Sequence, residues 1–275
     1  MTISADISRL LDDNALEEAI NVAKAYVKGT PSDHKGRNLY IDVLILAGEY
    51  EKADAQCSLA ATFSPEDSMG YSVLRQNLRA MSAREAWYLS AAVPDLPGGP
   101  SELDQLAIKA ALALKDNDLS LATDSLAALE EKRGQVPLSV NGKTVDDIRD
   151  LDDRIPHALE VLTSGGRYLW IDYRRIQSLS IAPMARPRDI AFRQADLVLL
   201  DGAVANVLVP AVYHSHKVDA SLRLGRETEW DERNPAFVTG AGQRCLLAGD
   251  DMIAFHEINE LTTTDAAGDR QIAHG

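Results

Sequence analysis

The segment Asn14-Ala-Leu-Glu-Glu-Ala19 is echoed 34 positions later by Gly48-Glu-Tyr-Glu-Lys-Ala53. Thr30-Pro31-Ser32-Asp33 recurs in residue type at the same distance, as Ser64-Pro65-Glu66-Asp67. This period matches the tetratricopeptide repeat (TPR), whose unit of about 34 residues is a helix pair in which a small alanine permits close approach and a proline marks the next helix. The repeat therefore predicts stacked helical hairpins, a scaffold typical of proteins that hold other proteins.

Helical patterning extends beyond the two copies. Apolar residues recur at helical spacing from Ala15 to Val27, and Ser101 with Asp104 forms a capping-box pattern before another apolar-faced helix. Thr30-Pro31 and Ser64-Pro65 each have the residue types of an N-terminal cap followed by the first residue of a helix. We therefore predict a TPR-like helical-hairpin domain over residues 1–133.

The pattern changes at Gly134. Asn141-Gly142 and Asp201-Gly202 are turn pairs that tolerate positive φ, so each predicts a hairpin. Residues 146–162 are predicted to be helical with an interruption at Pro156. The predicted strands cover residues 135–140, 168–173, 176–181, 197–200, 203–209, 243–248 and 252–261. The second half is thus predicted to be an α+β domain over residues 134–275, built mainly on an antiparallel sheet, with a loose tail after residue 262.

Composition limits the kinds of partner. Apolar residues make up 45% and charged residues 25% of the 275-residue chain, as in an ordinary globular protein. The net charge of −14 is spread evenly, with −8 in residues 1–133 and −6 in residues 134–275. Such a surface repels phosphate groups, so we expect no nucleic-acid or membrane partner and favour a partner segment with basic flanks.

Localisation is predicted from the cysteines and from the N-terminal residues. Cys57 and Cys245 lie in apolar contexts and are interpreted as buried thiols of a reducing compartment. The first residues lack a basic segment followed by an apolar run, and the chain has no long apolar stretch. We therefore expect a cytoplasmic protein.

Searches for catalytic, cofactor and metal motifs give weak candidates. His214-Ser-His216 offers two imidazoles without further ligands at a recognisable spacing, and Gly240-Ala-Gly242 lacks the third glycine and the helix of a dinucleotide fingerprint. The acidic residues between Asp146 and Asp153 do not alternate as in a calcium loop and are interpreted as a solvated helix face. We expect no cofactor, no metal and no small-molecule substrate.

The stretch Leu222-Arg-Leu-Gly-Arg-Glu-Thr-Glu-Trp230 is the densest cluster of charged and aromatic residues. At strand spacing, Arg226 and Thr228 would share one face, and Glu227 and Glu229 the other. One interpretation is an arginine–carboxylate network that stiffens the domain, with Trp230 covering the core and the arginines near residues 188–193 joining it. Another is an interaction hot spot, since tryptophan and arginine are enriched in such spots. A third is an enzyme site around Arg226, Glu227 and Glu229.

The order of motifs in the second half resembles the ImpE family, also called TagJ, an accessory component of type VI secretion systems. The motifs are Gly166-Arg-Tyr-Leu-Trp170, Arg186-Pro-Arg-Asp189 followed by Arg193, Val209-Pro-Ala-Val-Tyr213, Leu222 to Trp230, and Gly240-Ala-Gly-Gln-Arg244. The residues that we assign to the shared structural motif are Trp170, Arg188, Asp189, Arg193, Gly225, Arg226, Thr228, Trp230, Gly240 and Gly242.

The resemblance implies a cytoplasmic, non-enzymatic protein that binds the N-terminal helix of the small sheath subunit, TssB, and in some systems connects to sheath recycling by the ClpV ATPase. An amphipathic helix laid into a groove between helices is a standard recognition mode. Candidate partner-binding residues are Tyr40, Val43, Leu44, Tyr71, Leu74, Arg226 and Trp230. A TPR-like adaptor unrelated to secretion is the alternative.

Overall fold

The first half of the chain is helical. The structure, a computed structural model, describes residues 2–217, 219–231 and 235–264. The helices are α1 (Ile3–Asp12), α2 (Leu16–Gly29), α3 (His34–Leu46), α4 (Tyr50–Phe63), α5 (Ser68–Ser90), α6 (Glu102–Lys115) and α7 (Leu119–Arg133). Each of α1 to α4 packs against the next helix, and α6 packs against α7.

The sequence repeat is visible in the helix boundaries. Helix α2 begins at Leu16 and α4 at Tyr50, and their ends, at Gly29 and Phe63, are separated by the same distance. The turn before each contains a residue with positive φ, Asn14 at 57° and Gly48 at 76°, and Asn117 at 58° occupies the same place before α7. Asparagine and glycine tolerate this left-handed conformation. The repeated unit therefore includes the turn as well as the helix that follows it.

The predicted helix start at Thr30-Pro31 was wrong. The Thr30 hydroxyl donates back to the Tyr26 carbonyl oxygen at 2.8 Å, and Pro31 lies in the turn. Helix α3 begins at His34 because Asp33 caps it, accepting from the Lys35 amide at 3.0 Å. In the second copy, Pro65 begins a 3-10 turn (Pro65–Asp67) that leads into α5.

The second half is built on antiparallel strands, which confirms the predicted fold class. The strands are β1 (Leu138–Val140), β2 (Lys143–Val145), β3 (Ile148–Asp150), β4 (Ala158–Thr163), β5 (Tyr168–Asp172), β6 (Ile176–Ile181), β7 (Phe192–Leu199), β8 (Val204–Pro210), β9 (Val212–Tyr213), β10 (Thr228–Asp231), β11 (Thr239–Gln243), β12 (Cys245–Ala248), β13 (Asp251–Ala254) and β14 (Glu260–Thr263). An eight-stranded sheet has the order β2-β1-β14-β6-β7-β8-β4-β5, and two three-stranded sheets have the orders β10-β11-β9 and β13-β12-β3. A short helix, α8 (Ala220–Arg223), precedes β10.

Three local predictions in this half need correction. The predicted helix over 146–162 is replaced by β3 and β4; the first five residues of β4 are all buried, so its sequence lacks the alternation typical of a strand. The predicted strand over 252–261 is divided by a 3-10 turn (Phe255–Glu257), which sends β13 and β14 into different sheets. Strand β14 continues past residue 262 and pairs with β1 and β6, whereas residues 265–275 lie outside the described part of the chain.

The helices and the sheets share a core. One continuous cluster of buried apolar residues runs from α1 through α6 and includes Trp170 of β5 and Phe192 of β7. Cys57 and Cys245 are both buried free thiols, and burial raises the pKa of Cys57 to about 12. Among the described residues, no helix is long and apolar enough to cross a bilayer. The boundary between residues 133 and 134 stays a prediction, because the shared core joins the two halves.

Candidate protein-interaction site

Helix α5 is held on the large sheet by buried aromatic and charged side chains, which we call the seam. Trp87 of α5 meets Trp170 of β5 edge-on, with ring centroids 4.9 Å apart. Trp170 Nε1 donates to the Tyr168 hydroxyl at 2.7 Å, and that hydroxyl donates to Glu160 of β4 at 2.6 Å. Glu160 is only 2% exposed. The aromatic contacts therefore lead directly to a buried carboxylate.

Two arginines neutralise this carboxylate. Arg84 of α5 binds Glu160 in a bidentate manner at 2.8 and 3.0 Å and also donates to the Val212 carbonyl oxygen at 3.1 Å. Arg244, 1% exposed, lies 3.4 Å from Glu160 and 2.5 Å from Asp150. Burial alone would raise the pKa of Glu160, but the charges of both arginines and the hydrogen bonds it accepts outweigh burial and lower that pKa to about 2.

The seam continues to the small sheets. Arg154 pairs with Asp152, and its guanidinium lies 4.8 Å from the centre of the Tyr88 ring. His214 stacks on Tyr88 with ring centroids 4.5 Å apart. Burial and the nearby arginines lower the pKa of His214 to about 3, so its imidazole is neutral. Three arginines thus face three carboxyl groups, and the Arg84–Glu160 pair joins α5 to the sheet half.

The solvated helix face predicted for the acidic segment was wrong. Asp150, Asp152 and Asp153 are 2%, 4% and 8% exposed, and each receives an arginine. Asp152 and Asp153 also accept backbone amides from the strand region near Val238. Asp150 was misassigned because its partner Arg244 is 94 residues away, and Asp152 and Asp153 were misassigned because the segment was predicted to be helical.

The predicted motif residues in β10 and β11 contact neighbouring segments of the sheet half. Trp230 is half-buried and meets Tyr213 edge-on at 5.8 Å, and Thr228 donates to the Gln243 carbonyl oxygen at 2.7 Å. A Cβ atom added at Gly240 would lie 2.5 Å from the Tyr213 ring. At Gly242, with φ of +92°, it would lie 2.2 Å from the Glu227 carbonyl oxygen. The two glycines therefore let a ring and a backbone segment approach β11.

We expect Gly242→Ala to destabilise the protein more than Gly142→Ala. Gly142 also has positive φ, +82°, but an added Cβ there meets nothing within 4 Å. The left-handed conformation alone should cost about 1–2 kcal/mol at Gly142, and the clash should add about 1–3 kcal/mol at Gly242. Urea unfolding of both variants measures the difference. Equal losses of unfolding free energy in the two variants would contradict the prediction, because the Glu227 backbone would then move away from the new Cβ atom at no cost.

The predicted network around Arg226 is not formed, since its members face different partners. Residues 220–223 are helical and Gly225 has a φ of +57°, so Arg226 precedes the strand instead of lying in it. Arg226 contacts Asp12 of α1 at 3.2 Å. Exposed Glu227 accepts from Ser221, and exposed Glu229 pairs with Lys217. The three side chains proposed as an enzyme site thus do not converge.

The motif residues before β7 are anchored separately. Arg188 lies 3.6 Å from Asp42 of α3, and Arg193 donates to the Ala182 carbonyl oxygen at 2.8 Å. Asp189 accepts the amides of Ala185 and Arg186 at 2.8 and 2.9 Å. These bonds fix the connection between β6 and β7 against α3.

The five apolar candidates for partner binding lie in the core. Their exposures range from 0 to 7%, for Tyr40, Val43, Leu44, Tyr71 and Leu74. Core side chains at helix contacts stabilise the hairpins and are not available to a partner in this structure. The exposed apolar side chains lie elsewhere on the surface.

Residues 93–100 connect α5 to α6, and we call them the strap. An open apolar groove lies between the strap, α6 and α7, and we call it the strap groove. Its volume is about 660 Å³. Val93, Leu112 and Leu121 line it and are 62%, 42% and 37% exposed. Its volume is in the range of about 300–1,000 Å³ for ligand pockets. Its acidic lining consists of Asp95, Asp116 and Asp118.

The strap is a fixed wall. Asp95 forms a parallel bridge with Leu169 of β5, and its carboxylate accepts from Arg167 Nε at 2.6 Å. Arg175 donates to the Pro97 carbonyl oxygen at 2.7 Å. The opposite wall is set by the predicted Ser101–Asp104 capping box, which is formed at the start of α6. The groove is therefore preformed, which lowers the entropic cost of binding.

A pattern within α6 could have revealed this groove. Leu103, Ala107 and Ala110 form the buried stripe of the helix. Ile108 and Leu112, four residues apart, lie on a second apolar stripe that faces the groove. One apolar stripe is enough to pack α6 in the core, so the second stripe is available to line a groove.

The paired histidines at positions 214 and 216 do not belong to a larger set of metal-binding side chains among the described residues. His214 and His216 have ring centroids 5.7 Å apart at 86°. In the described ranges, no group of three or more His, Cys, Asp and Glu side chains is placed to hold a metal.

Comparisons with known proteins agree with the motif order. The family model described as ImpE protein matches residues 142–262. The type VI secretion system accessory component TagJ of Pseudomonas aeruginosa is 26% identical over 265 residues, which cover 90% of each chain. A crystal structure of a Vibrio parahaemolyticus protein has a TM-score of 0.85 at 24% identity, covering 94% of this chain and 97% of that one, and supports the fold. The family match over residues 142–262 and the alignment over nine-tenths of the chain both support a relationship to the ImpE/TagJ family.

Proposed function

We propose that this chain is a non-enzymatic, cytoplasmic accessory protein of a type VI secretion system, and that it binds the N-terminal helix of a TssB-like small sheath subunit in the strap groove. Its relative from Pseudomonas aeruginosa carries the name of an accessory component of that system. The observation that carries the proposal is the open, preformed groove, whose leucines and valine remain exposed in the free chain.

An amphipathic helix is the occupant that fits this groove best. Burying one apolar side chain of leucine or valine size contributes about 1.5–3 kcal/mol, and Val93, Leu112 and Leu121 are all available. The acidic lining and the net charge of −14 favour basic residues at the flanks of that helix. Bound in this way, the protein would reach the sheath, where it would assist assembly or recycling by the ClpV ATPase.

Isothermal titration with a synthetic peptide of the sheath helix from the same organism tests the proposal. We expect saturable one-to-one binding with a Kd on the order of 1 μM, equivalent to about −8 kcal/mol. A peptide with a proline in the middle of the helix should not bind, because proline disrupts the helical face. Absence of heat with the folded protein would contradict sheath binding and leave a TPR-like adaptor of another process.

A further inference from the structure

A second concave surface has the opposite charge character. A pocket of about 570 Å³ lies between α1, α3 and the connection from β6 to β7, and Arg226 closes one side. We call it the cationic pocket. It shares no lining residue with the strap groove. A ligand of this pocket would therefore contact different residues from the proposed sheath helix.

The cations of this pocket outnumber its carboxylates. Its lining contains three cations, Lys35, Arg186 and Arg226, and two carboxylates, Asp12 and Asp42. Arg186 contacts the buried Asp42 carboxylate at 3.2 Å. Arg226 lines the pocket with a 45% exposed side chain. Lys35 of α3 also lines it, and the structure gives Lys35 no ion pair with any described residue. A positive excess at this place contrasts with the net charge of −14 of the whole chain.

The arginines are held in place before any ligand arrives. The Asp189 carboxylate accepts the amides of Ala185 and Arg186, which fixes the loop that carries Arg186. Arg226 is positioned by its contact with Asp12 at 3.2 Å. A preorganised guanidinium loses less entropy on binding a carboxylate, and its planar fork matches that group in a bidentate manner.

Apolar side chains lie beside the cations. Leu39 is half-buried, and Met184 is 49% exposed on the same surface. Methionine is flexible and adapts to partners of different shape. A ligand that satisfies this pocket must therefore carry both carboxylates and apolar groups.

We propose that the cationic pocket binds an acidic peptide segment with apolar anchors, supplied by a second protein partner. A polyphosphate or nucleic acid is disfavoured because the lining has only three cations, two of which already pair with carboxylates, too few to neutralise a chain of phosphates. Asp12 and Asp42 also limit the net positive charge, which suits separate carboxylates better than a dense polyanion. The protein would then hold a basic-flanked helix and an acidic segment at two separate places.

Selection of peptides tests this inference. A phage-displayed library of random peptides is selected on the immobilised full chain, and synthetic copies of the enriched peptides are titrated against purified variants. We expect a group of acidic peptides with apolar residues, whose affinity falls at least about tenfold in Lys35→Glu/Arg226→Glu because charge-assisted hydrogen bonds are lost. Both side chains are exposed, and glutamate suits the first turn of α3.

Two controls separate the explanations. Lys24→Glu/Lys28→Glu changes the net charge equally on exposed α2 positions outside the pocket lining, so it should leave the affinity nearly unchanged. Leu112→Lys/Leu121→Glu in the strap groove should also leave it unchanged, which distinguishes this pocket from the sheath-helix site. Absence of acidic peptides, equal weakening by both charge-reversal variants, or stronger competition by an oligonucleotide would each overturn the inference.

Discussion

Glu160→Gln is expected to lower the free energy of unfolding by about 3–5 kcal/mol, the usual loss when one partner of a buried ion pair is removed. Glu160 is 2% exposed and accepts from Arg84, Tyr88 and Tyr168. Glutamine keeps the shape and one acceptor oxygen, but it removes the charge and places an NH2 donor where a second carboxylate oxygen accepts from the donors around Glu160. Urea unfolding at neutral pH measures the loss.

The loss should depend on pH in a definite direction. The pKa of Glu160 falls from an ordinary value of 4.5 to about 2 in the folded protein. A carboxyl whose pKa is lower in the folded state contributes stability above its unfolded pKa and loses that contribution as the pH falls towards its folded pKa. The difference between wild type and Glu160→Gln should therefore be largest above about pH 5 and narrow progressively down to about pH 2.

An exposed ion pair provides the control for this experiment. Asp251 pairs with Lys143 at 3.0 Å, and the two side chains are 66% and 73% exposed. Asp251→Asn should cost less than about 1 kcal/mol. A loss of that small size in Glu160→Gln would contradict the view that the seam depends on a charged carboxylate, because water would then be reaching Arg84.

The helical half was largely predictable because its signals are local. The repeat of similar segments, the turn residues at Asn14 and Gly48, and the Ser101–Asp104 capping box each depend on residues close together in the chain. The start of α3 was misplaced because Thr30 and Asp33 are both acceptable caps, and the Tyr26 hydroxyl, which donates to Asp33 at 2.7 Å, favours the second. Which residue caps α3 therefore depends on a side chain of the preceding helix, α2.

The two seam pairs made by Arg84 and Arg244 could not be predicted because their members are distant in the chain. Arg84 and Glu160 are 76 residues apart, and Arg244 and Asp150 are 94 residues apart. A carboxylate far from its arginine, such as Asp150, has the same sequence context as a solvated one. Strand β4 shows the same limit, since burial on both faces removes the alternation that identifies a strand.

The strap groove was predictable only in part, less than the helical half and more than the seam. The second apolar stripe of α6 is visible in the sequence, but the opposite wall is the strap, whose prolines and glycines indicated only an irregular connection. Its position depends on Arg167 and Arg175, which bind it from the sheet half. Apolar residues at Tyr40 and Leu74 were chosen instead because apolar character alone does not separate a core from a groove.

Leu112→Lys/Leu121→Glu is expected to weaken binding of the sheath-helix peptide at least about thirtyfold, corresponding to about 2 kcal/mol for the loss of central apolar contacts. Each substitution places a charge in the groove, which must be dehydrated when an apolar face docks. The fold should persist, because both leucines are exposed. Lysine suits the last turn of α6 and glutamate the first turn of α7, and the net charge of the chain does not change.

The matched control is Leu59→Lys/Leu200→Glu, which makes the same substitutions at leucines that are 43% and 59% exposed and lie outside the groove. Titration of both variants with the same peptide, after circular dichroism has shown equal helix content, isolates the groove from general surface effects. Equal affinities in the two variants would contradict the strap groove as the docking site even if wild type binds the peptide. Selective weakening in the groove variant would instead mean that the second stripe of α6 is a binding surface, because it contributes to affinity without being needed for the fold.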